Sequence, residues 1–350
     1  MNRSKQAGMG KKATVALLVS LALASVDLTK AQQSKKVYIG LQSNGGLFLI
    51  PPLVDAFVRT TLSAVPAHAQ EEVSSSTAQN LAQPQILKIS LKGAGIFGGN
   101  VAMVTHLYKP QGDGPFPVVV FSHGRAPEIS DRLNLKYPVL VGHGNFWLRK
   151  GFAVVAPVRP GYGESEGMDH EDAGSKWRRG QCIGEPDFFY LAHVAGEAVL
   201  ATLDWVREQP WTNKEKILLV GVSVGGLTSA AIAAKGPLGL VGYINFSGGA
   251  GGSPRESPGK SCRPENLTKV FAEFGKTTPV PSLWLYAEND LYWGPDAPKE
   301  WHKAFSAAGS KTKFVMTPPV PGTDDGHRLL AVGGKLWSPH VNAFVKELGF

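Results

Sequence analysis

The chain has 350 residues, of which 43% are hydrophobic, enough for a sizeable core in one large domain or two small ones. Its formal net charge is +8, but six of these charges lie within residues 1–36, so the rest of the chain is nearly neutral. Without an excess of positive charge, residues 37–350 are not expected to bind the phosphate backbone of a nucleic acid.

The amino-terminal segment has the pattern of a secretory signal peptide. Basic residues precede an apolar run at 13–24 that is too short to span a bilayer and ends in the small-x-small pattern Ala-Leu-Ala. We therefore predict a signal peptide at 1–24 and an exported protein, either periplasmic or secreted. A frayed helix on a protein that is not exported is the alternative.

A second candidate cleavage site, Ala-His-Ala at 67–69, follows another apolar stretch at 47–54. Cleavage as late as 69 is therefore the alternative to cleavage after 24, and both imply export. Residues 25–84 are predicted to be a disordered leader or linker. We expect no stable membrane insertion after cleavage, whereas an uncleaved leader would give a membrane-anchored protein.

The apolar pattern from residue 86 onward predicts an α/β domain at 85–350. Buried strands alternate with helices, which predicts a mostly parallel central sheet of about eight strands with helices on both faces. The predicted strands lie at 86–91, 101–108, 116–121, 152–158, 217–222, 240–246, 281–286 and 313–316. The predicted helices lie at 187–209, 226–235, 265–275, 298–308 and 339–348. The Gly/Pro/Ser-rich segment 249–265 is expected to cap a site.

A Gly-x-Ser-x-Gly sequence at 221–225 follows a predicted buried strand and precedes a predicted small-residue helix. This is the context of a nucleophile elbow, in which a sharp turn exposes the serine hydroxyl and the glycines leave room for it. The dipole of the following helix favours negative charge near the serine. We therefore predict Ser223 as a nucleophile, with an ordinary tight turn as the alternative.

A serine nucleophile needs a base, and the base needs a carboxylate that orients it. In this arrangement the acid and then the histidine follow the serine along the chain. The turn after the strand at 281–286 carries two acids, of which we prefer Asp290, while Glu288 remains an alternative. His302 lies in a predicted helix and His340 at a predicted helix start. His327 lies in a loop after a strand and is the predicted base.

The loop after the strand at 116–121 is expected to supply an oxyanion donor. Gly124 permits close approach of the backbone, so the backbone N–H near Arg125, together with that of Val224, is predicted to form the oxyanion hole. His123 precedes the nucleophile and is assigned a structural role beside this loop. The glycine-rich turn 159–167 is expected to shape the pocket.

The two cysteines, Cys182 and Cys262, indicate a disulfide if the chain is exported. The bond would close a loop of about 80 residues and contribute roughly 4 kcal/mol through chain entropy. Two separate buried thiols are the alternative. Two cysteines without a clustered histidine do not make a zinc site.

These motifs together resemble the α/β-hydrolase superfamily, and within it the dienelactone hydrolase-like and related esterase and peptidase groups. The resemblance covers residues 86–350 and rests on SHG at 122–124, RPGYGESEG at 159–167, GVSVGG at 221–226, AEND at 287–290 and DGH at 325–327. The dienelactone hydrolases proper have a cysteine nucleophile, whereas the elbow here holds Ser223. The resemblance implies the α/β-hydrolase fold and acyl transfer by Ser223, His327 and Asp290, with no metal or organic cofactor.

The expected function is hydrolysis of a small-molecule carboxylic ester through an acyl-enzyme. A serine exopeptidase of the same fold is one alternative, although the sequence contains no recognisable propeller or other gating domain. A non-catalytic binding protein on this fold is a second alternative. It would be expected to lack part of the triad, and here all three positions are filled.

Overall fold

The structure, a computed structural model, describes residues 40–41, 47–48 and 82–350. Two short strands, β1 (Gly40–Leu41) and β2 (Leu47–Phe48), pair antiparallel within a unit that spans Met1–Ala78. The predicted signal peptide at 1–24, the alternative cleavage site at 67–69 and nearly all of the predicted linker at 25–84 lie outside the described residues. A second unit, Gln79–Phe350, contains all the elements that follow.

The centre of the second unit is an eight-stranded sheet, as predicted. Its strands are β3 (Gln85–Leu91), β4 (Val101–Tyr108), β5 (Phe116–Ser122), β6 (Ala153–Pro157), β9 (Thr212–Val222), β10 (Leu240–Phe246), β13 (Ser282–Ala287) and β14 (Thr312–Thr317). Two antiparallel hairpins lie outside this sheet and comprise β7 (Trp177–Arg178) with β8 (Gln181–Cys182), and β11 (Gly252–Ser253) with β12 (Ser257–Ser261).

The strand order in the sheet is β14-β13-β10-β9-β5-β6-β4-β3. Strand β4 runs antiparallel to both its neighbours, β3 and β6, while every other neighbouring pair is parallel. In a parallel sheet the carboxyl ends of the strands meet at one edge, where ligands bind in open α/β folds. The loops after β5, β6, β9, β13 and β14 therefore lie along the same edge.

Within residues 82–350 the five predicted helices are present, together with three shorter ones. The helices are α1 (Ile129–Leu133), α2 (Val141–Leu148), α3 (Phe188–Glu208), α4 (Val224–Ala234), α5 (Pro264–Thr277), α6 (Ala297–Ala307), α7 (Leu329–Val332) and α8 (Gly334–Glu347). Helices α1, α2 and α7 have four to eight residues, too few for a recognisable helical repeat. Helix α8 begins five residues before the predicted start and contains Pro339.

Both faces of the sheet are buried, which explains the continuous apolar runs of its strands. Along β5, Val118 and Val120 belong to one core, and Val119 and Phe121 belong to the other, because successive side chains of a strand point to opposite faces. Helices α3, α4, α5 and α6 cover the first core, and α2, α7 and α8 cover the second. Within the described part of the chain, no helix is long and apolar enough to cross a membrane.

The second core contains a histidine without a hydrogen bond. His143 in α2 is 5% exposed, and the rings of Phe121, Phe146, Phe246 and Trp337 surround it at centroid distances of 5.4 to 6.1 Å. Neither of its ring nitrogens has a partner among the described residues. Burial lowers the pKa of His143 to about 3, so the imidazole is neutral in the folded protein at neutral pH.

We expect His143→Phe to weaken the acid sensitivity of the fold. The pKa of His143 lies below its ordinary value of 6.5, so between these pH values the unfolded chain binds one more proton. The free energy of unfolding therefore falls, as the pH falls, by up to about 1.4 kcal/mol per pH unit on account of this residue.

Urea unfolding at pH 7 and pH 4.5 measures this effect. The loss of stability between the two pH values should be about 2 to 3 kcal/mol smaller in the variant than in the wild type. Any change in packing affects both pH values alike and cancels in the difference. Equal losses in the two proteins would contradict the prediction.

Candidate active site

Ser223 lies on a strained turn between β9 and α4. Its φ and ψ are 57° and −126°, a region that residues other than glycine rarely adopt. A side chain at Gly221 would collide with the backbone oxygen of Gly225, and one at Gly225 would collide with that of Ser122. Both glycines of the motif are therefore sterically required, and they place Ser223 at the amino-terminal end of α4.

His327 and Asp290 are hydrogen-bonded to each other. The Nδ1 atom of His327 is 3.0 Å from Oδ2 of Asp290, a residue that is 2% exposed. The other oxygen, Oδ1, accepts the backbone N–H groups of Tyr292 and Trp293 at 2.8 and 3.1 Å. With Asp290 as acceptor, His327 carries its proton on Nδ1, and Nε2 is left to accept a hydrogen bond.

The other candidates for acid and base lie apart from this pair. Glu288 is exposed, and neither of its carboxylate oxygens bonds to His327. His302 lies in α6, as predicted, and its Nε2 is 3.1 Å from Oγ1 of Thr312. His340 is exposed in the interior of α8, so its predicted place at a helix start is wrong.

Two aromatic side chains hold the imidazole of His327. The ring of Tyr292 stacks on it with centroids 4.0 Å apart, and the ring of Trp293 meets it edge-on at 5.3 Å. The indole N–H of Trp293 donates to the backbone oxygen of Ser247 at 2.8 Å, which fixes the orientation of that ring. Tyr292 and Trp293 also line a cavity that Ser223 lines. Ser223 and the two aromatic residues that contact His327 therefore line the same cavity.

The loop 122–125 follows β5 and passes next to Ser223. A Cβ atom at Gly124 would lie 3.2 Å from that of Ser223, so only glycine permits this approach without a shift. The carbonyl oxygen of Gly124 accepts hydrogen bonds from Nδ1 of His123 at 2.7 Å and from Nη2 of Arg159 at 3.2 Å. In a planar trans peptide the next N–H points the opposite way, so the N–H of Arg125 points away from these donors.

His123 has the structural role that the sequence predicts. The backbone N–H of Arg159 donates to its Nε2 at 3.1 Å, which leaves the proton on Nδ1 for the bond to Gly124. Burial, and next the charge of Arg159, lower the pKa of His123 well below its ordinary value. The ring is therefore neutral, and both its nitrogens are engaged in holding the loop 122–125.

Five charged residues lie next to the loop 122–125 and bind one another, and we call them the ionic cluster. They are Arg125, Arg132, Arg159, Asp169 and Glu171. Arg159 is 1% exposed and binds both carboxylate oxygens of Glu171, while its Nη1 donates to the backbone oxygen of His123 at 2.6 Å. Arg125 and Arg132 both bind Asp169, at 2.7 and 2.9 Å.

Sequence reasoning missed the two carboxylates of the ionic cluster. The turn 159–167 is predicted only to shape the pocket, and no motif singles out Asp169 or Glu171. They lie in a loop without periodicity, and their burial depends on Arg125 and Arg159 from other loops. The one sequence signal is Arg159, an arginine two residues after the buried strand β6.

The cavity beside Ser223 has a volume of about 370 Å³, within the usual range for small-molecule sites. One part of its wall is apolar and includes Ile129, Trp177, Leu191, Tyr292 and Trp293. The polar side chains of the lining include Arg125, Arg132, Glu171, Asp172 and Ser175. Among the described residues, no group of three or more His, Cys, Asp or Glu could hold a metal ion.

A disulfide joins two loops of the cavity wall. Cys182 at the end of β8 is bonded to Cys262 directly after β12, which confirms the predicted pairing. The indole N–H of Trp177 in the first loop donates to the backbone oxygen of Gly251 in the second at 3.0 Å. The predicted capping segment 249–265 therefore contributes to the wall, tied to the hairpin of β7 and β8.

Comparisons with known proteins agree with this architecture. Residues 98–269 match the X-Pro dipeptidyl-peptidase (S15) family, and no curated protein matches the chain. The esterase Pf2001 of Pyrococcus furiosus is 13% identical, with a TM-score of 0.52 over 77% of this chain and 93% of that one. The ferulic acid-bound Est1E of Butyrivibrio proteoclasticus is 17% identical, with a TM-score of 0.51 over 75% and 98%.

These comparisons decide the fold. The two similar structures superpose over most of both chains, and the S15 match spans β4, β5, β6, β9 and β10, including the turn that carries Ser223. At such low identities the likeness concerns the fold alone. The chain is a protein of the α/β-hydrolase fold, the fold of these serine hydrolases.

Proposed function

We propose that the protein is a serine hydrolase that cleaves carboxylic esters of small molecules, with Ser223, His327 and Asp290 as its triad. The observation that carries the proposal is the hydrogen bond between Nδ1 of His327 and Asp290, beside a cavity that Ser223 lines from a strained turn. In the neutral imidazole this bond selects the tautomer with its proton on Nδ1, so that Nε2 can serve as the general base for a serine hydroxyl.

In the proposed mechanism the hydroxyl of Ser223 attacks the ester carbonyl while Nε2 of His327 takes its proton. Asp290 holds the imidazole and stabilises the imidazolium that forms. The tetrahedral intermediate collapses, the C–O bond to the alcohol breaks, and the imidazolium returns the proton to the leaving alcohol. Water then attacks the acyl-enzyme with the same proton transfers and releases the acid.

The oxyanion of the intermediate needs donors that are already oriented. We assign this role to the backbone N–H groups of Arg125 and Val224. Neither N–H has an acceptor among the described residues, and the carbonyl of Gly124 is turned away by His123 and Arg159. The fixed peptide between Gly124 and Arg125 supports the assignment, because it aims the N–H without further reorganisation.

A peptidase is the second candidate, and the match of residues 98–269 to the S15 family favours it. An exopeptidase that acts from the amino terminus needs an acid that is free to bind the ammonium group of its substrate. Both carboxylate oxygens of Glu171 in the cavity wall are already bound, by Arg159 and by Tyr162. Asp172, the other acid that lines the cavity, is exposed, and its Oδ1 accepts the backbone N–H of Gly174. The engagement of Glu171, the buried acid of the wall, is the reason to prefer an ester over a peptide as substrate.

Side-by-side assays of the purified protein test the choice. We expect turnover of short- and medium-chain p-nitrophenyl esters, and no turnover of X-Pro p-nitroanilides above the level of Ser223→Ala. Because p-nitrophenolate is a reactive leaving group, methyl esters of the same acids serve as a control with an unactivated alcohol. Turnover of the anilides but not of the methyl esters would favour the peptidase instead.

We also propose that residues 85–350 form the catalytic domain of an exported protein that carries a signal peptide at 1–24. The disulfide supports this, because such bonds persist in oxidising compartments. The basic and apolar pattern of the amino terminus supports it as well. The amino terminus of the mature protein tests the signal peptide: an intact leader would contradict cleavage after residue 24 and would indicate a membrane anchor instead.

A further inference from the structure

The charges of the ionic cluster do not balance. Its three guanidinium groups face only two carboxylates, so the cluster carries one net positive charge at the cavity wall. The carboxylate of Asp172 also lines the cavity, but this residue is exposed and its Oδ1 accepts the backbone N–H of Gly174. Water therefore reduces its effect on the cluster.

Both oxygens of each carboxylate in the cluster already accept hydrogen bonds from arginine side chains. The Oδ1 atom of Asp169 accepts from Arg125 and from the backbone N–H of Glu171, and its Oδ2 accepts from Arg125 and lies 2.9 Å from Nε of Arg132. The Oε2 atom of Glu171 accepts the hydroxyl of Tyr162 at 2.7 Å in addition to Nη2 of Arg159. Each of the four carboxylate oxygens therefore already has an arginine as donor.

Arg125, in contrast, uses only one of its three nitrogens. Its Nη1 makes every contact with Tyr162 and Asp169, at 2.7 to 2.8 Å. No atom of the described residues accepts a hydrogen bond from its Nε or Nη2. The side chain is 17% exposed, and it lines the same cavity as Ser223. These N–H groups form a planar pair that fits the two oxygens of a carboxylate.

We propose that Arg125 forms a carboxylate-binding subsite, so that the preferred ester carries a second, free carboxylate on its acyl chain. The inference rests on the proposed function, since it names the substrate class of the same site. The cluster holds the guanidinium in place before substrate binds, which lowers the entropy lost on binding. The apolar wall formed by Trp177, Leu191 and Tyr292 suits the hydrocarbon between the two functional groups.

The test compares two esters that differ in charge but hardly in shape: monomethyl glutarate and its neutral amide, methyl 5-amino-5-oxopentanoate. Methanol release gives kcat/KM for both. A charge-assisted hydrogen bond pair of this kind should favour the carboxylate about 10- to 100-fold in the wild type. The Arg125→Gln variant should lose most of that ratio, and Arg125→Lys should keep part of it, since a lysine retains the charge but not the fork.

Arg149→Gln is the matched control, because it removes the same charge from an exposed position directly after α2. The ratio should remain as in the wild type. A wild type that hydrolyses the amide as well as the carboxylate, or an unchanged ratio in Arg125→Gln, would overturn the subsite while leaving the esterase intact. Absence of any Ser223-dependent hydrolysis would instead overturn the proposed function.

A second measurement does not need the Arg125 variants to fold. Glutarate should inhibit the wild type about 10- to 100-fold more strongly than glutaramide, its uncharged counterpart, in hydrolysis of the neutral ester. Added salt should weaken the inhibition by glutarate only modestly, because the guanidinium is partly buried. Equal inhibition by the two compounds would overturn the subsite.

Discussion

Replacement of Ser223 by alanine should lower kcat for ester hydrolysis by roughly 10³- to 10⁶-fold, with KM changed only a few-fold. The acyl-enzyme cannot form without the hydroxyl, and the oxyanion donors alone give only slow hydrolysis by water. The backbone strain at φ 57° is the same for alanine as for serine, so the variant should unfold at nearly the same temperature.

Steady-state kinetics with p-nitrophenyl butyrate measures this effect, and the thermal unfolding midpoint shows that the variant is folded. Ser306→Ala, on the exposed face of α6, is the matched control and should retain wild-type kinetics. A folded Ser223→Ala variant with substantial activity would remove Ser223 from the mechanism and with it the proposed triad.

Loss of the Arg159 side chain should have the largest effect on stability. In Arg159→Met the carboxylate of Glu171 stays buried, at 4% exposure, without the arginine that binds both its oxygens. Breaking a buried ion pair in this way typically lowers the free energy of unfolding by about 3 to 5 kcal/mol. Urea unfolding at neutral pH measures the loss.

Arg159 should also act as a positioning residue for the oxyanion donor, since it binds the carbonyl oxygens of His123 and Gly124. We expect kcat of folded Arg159→Met, normalised by active-site titration, to fall about 10- to 100-fold with KM nearly unchanged. A misaligned donor stabilises the transition state less but hardly changes the binding of the ester. We therefore expect kcat to fall while KM stays nearly constant.

The double variant Arg159→Met/Glu171→Gln separates the two roles. Removal of the charge that Arg159 no longer binds should restore much of the stability, because neutral groups replace the buried pair. The carbonyl oxygens at 123 and 124 would still lack their donor, so kcat should remain low. Recovery of both stability and kcat would show that Arg159 acts on the fold alone.

The elements with a clear pattern were the ones that the sequence predicted well. The strands β5 and β9 contain continuous apolar runs because both of their faces are buried, a pattern that half-exposed strands and amphipathic helices lack. Helix α3 shows one apolar face over 21 residues. Helices α1 and α7 span barely one turn each, and short segments like these take their conformation from neighbours rather than from their own periodicity.

Local sequence patterns were sufficient to predict the succession of strands and helices along the chain, the turn at Ser223 and the histidine after the last strand. Those features depend on local steric rules, such as the need for glycine at 221 and 225. The choice of Asp290 over Glu288 as the partner of His327, and the pairing of Arg159 with Glu171 next to the loop 122–125, become visible only in the folded chain. Such pairings depend on how separate loops fold against each other at the edge of the sheet, which no local pattern records.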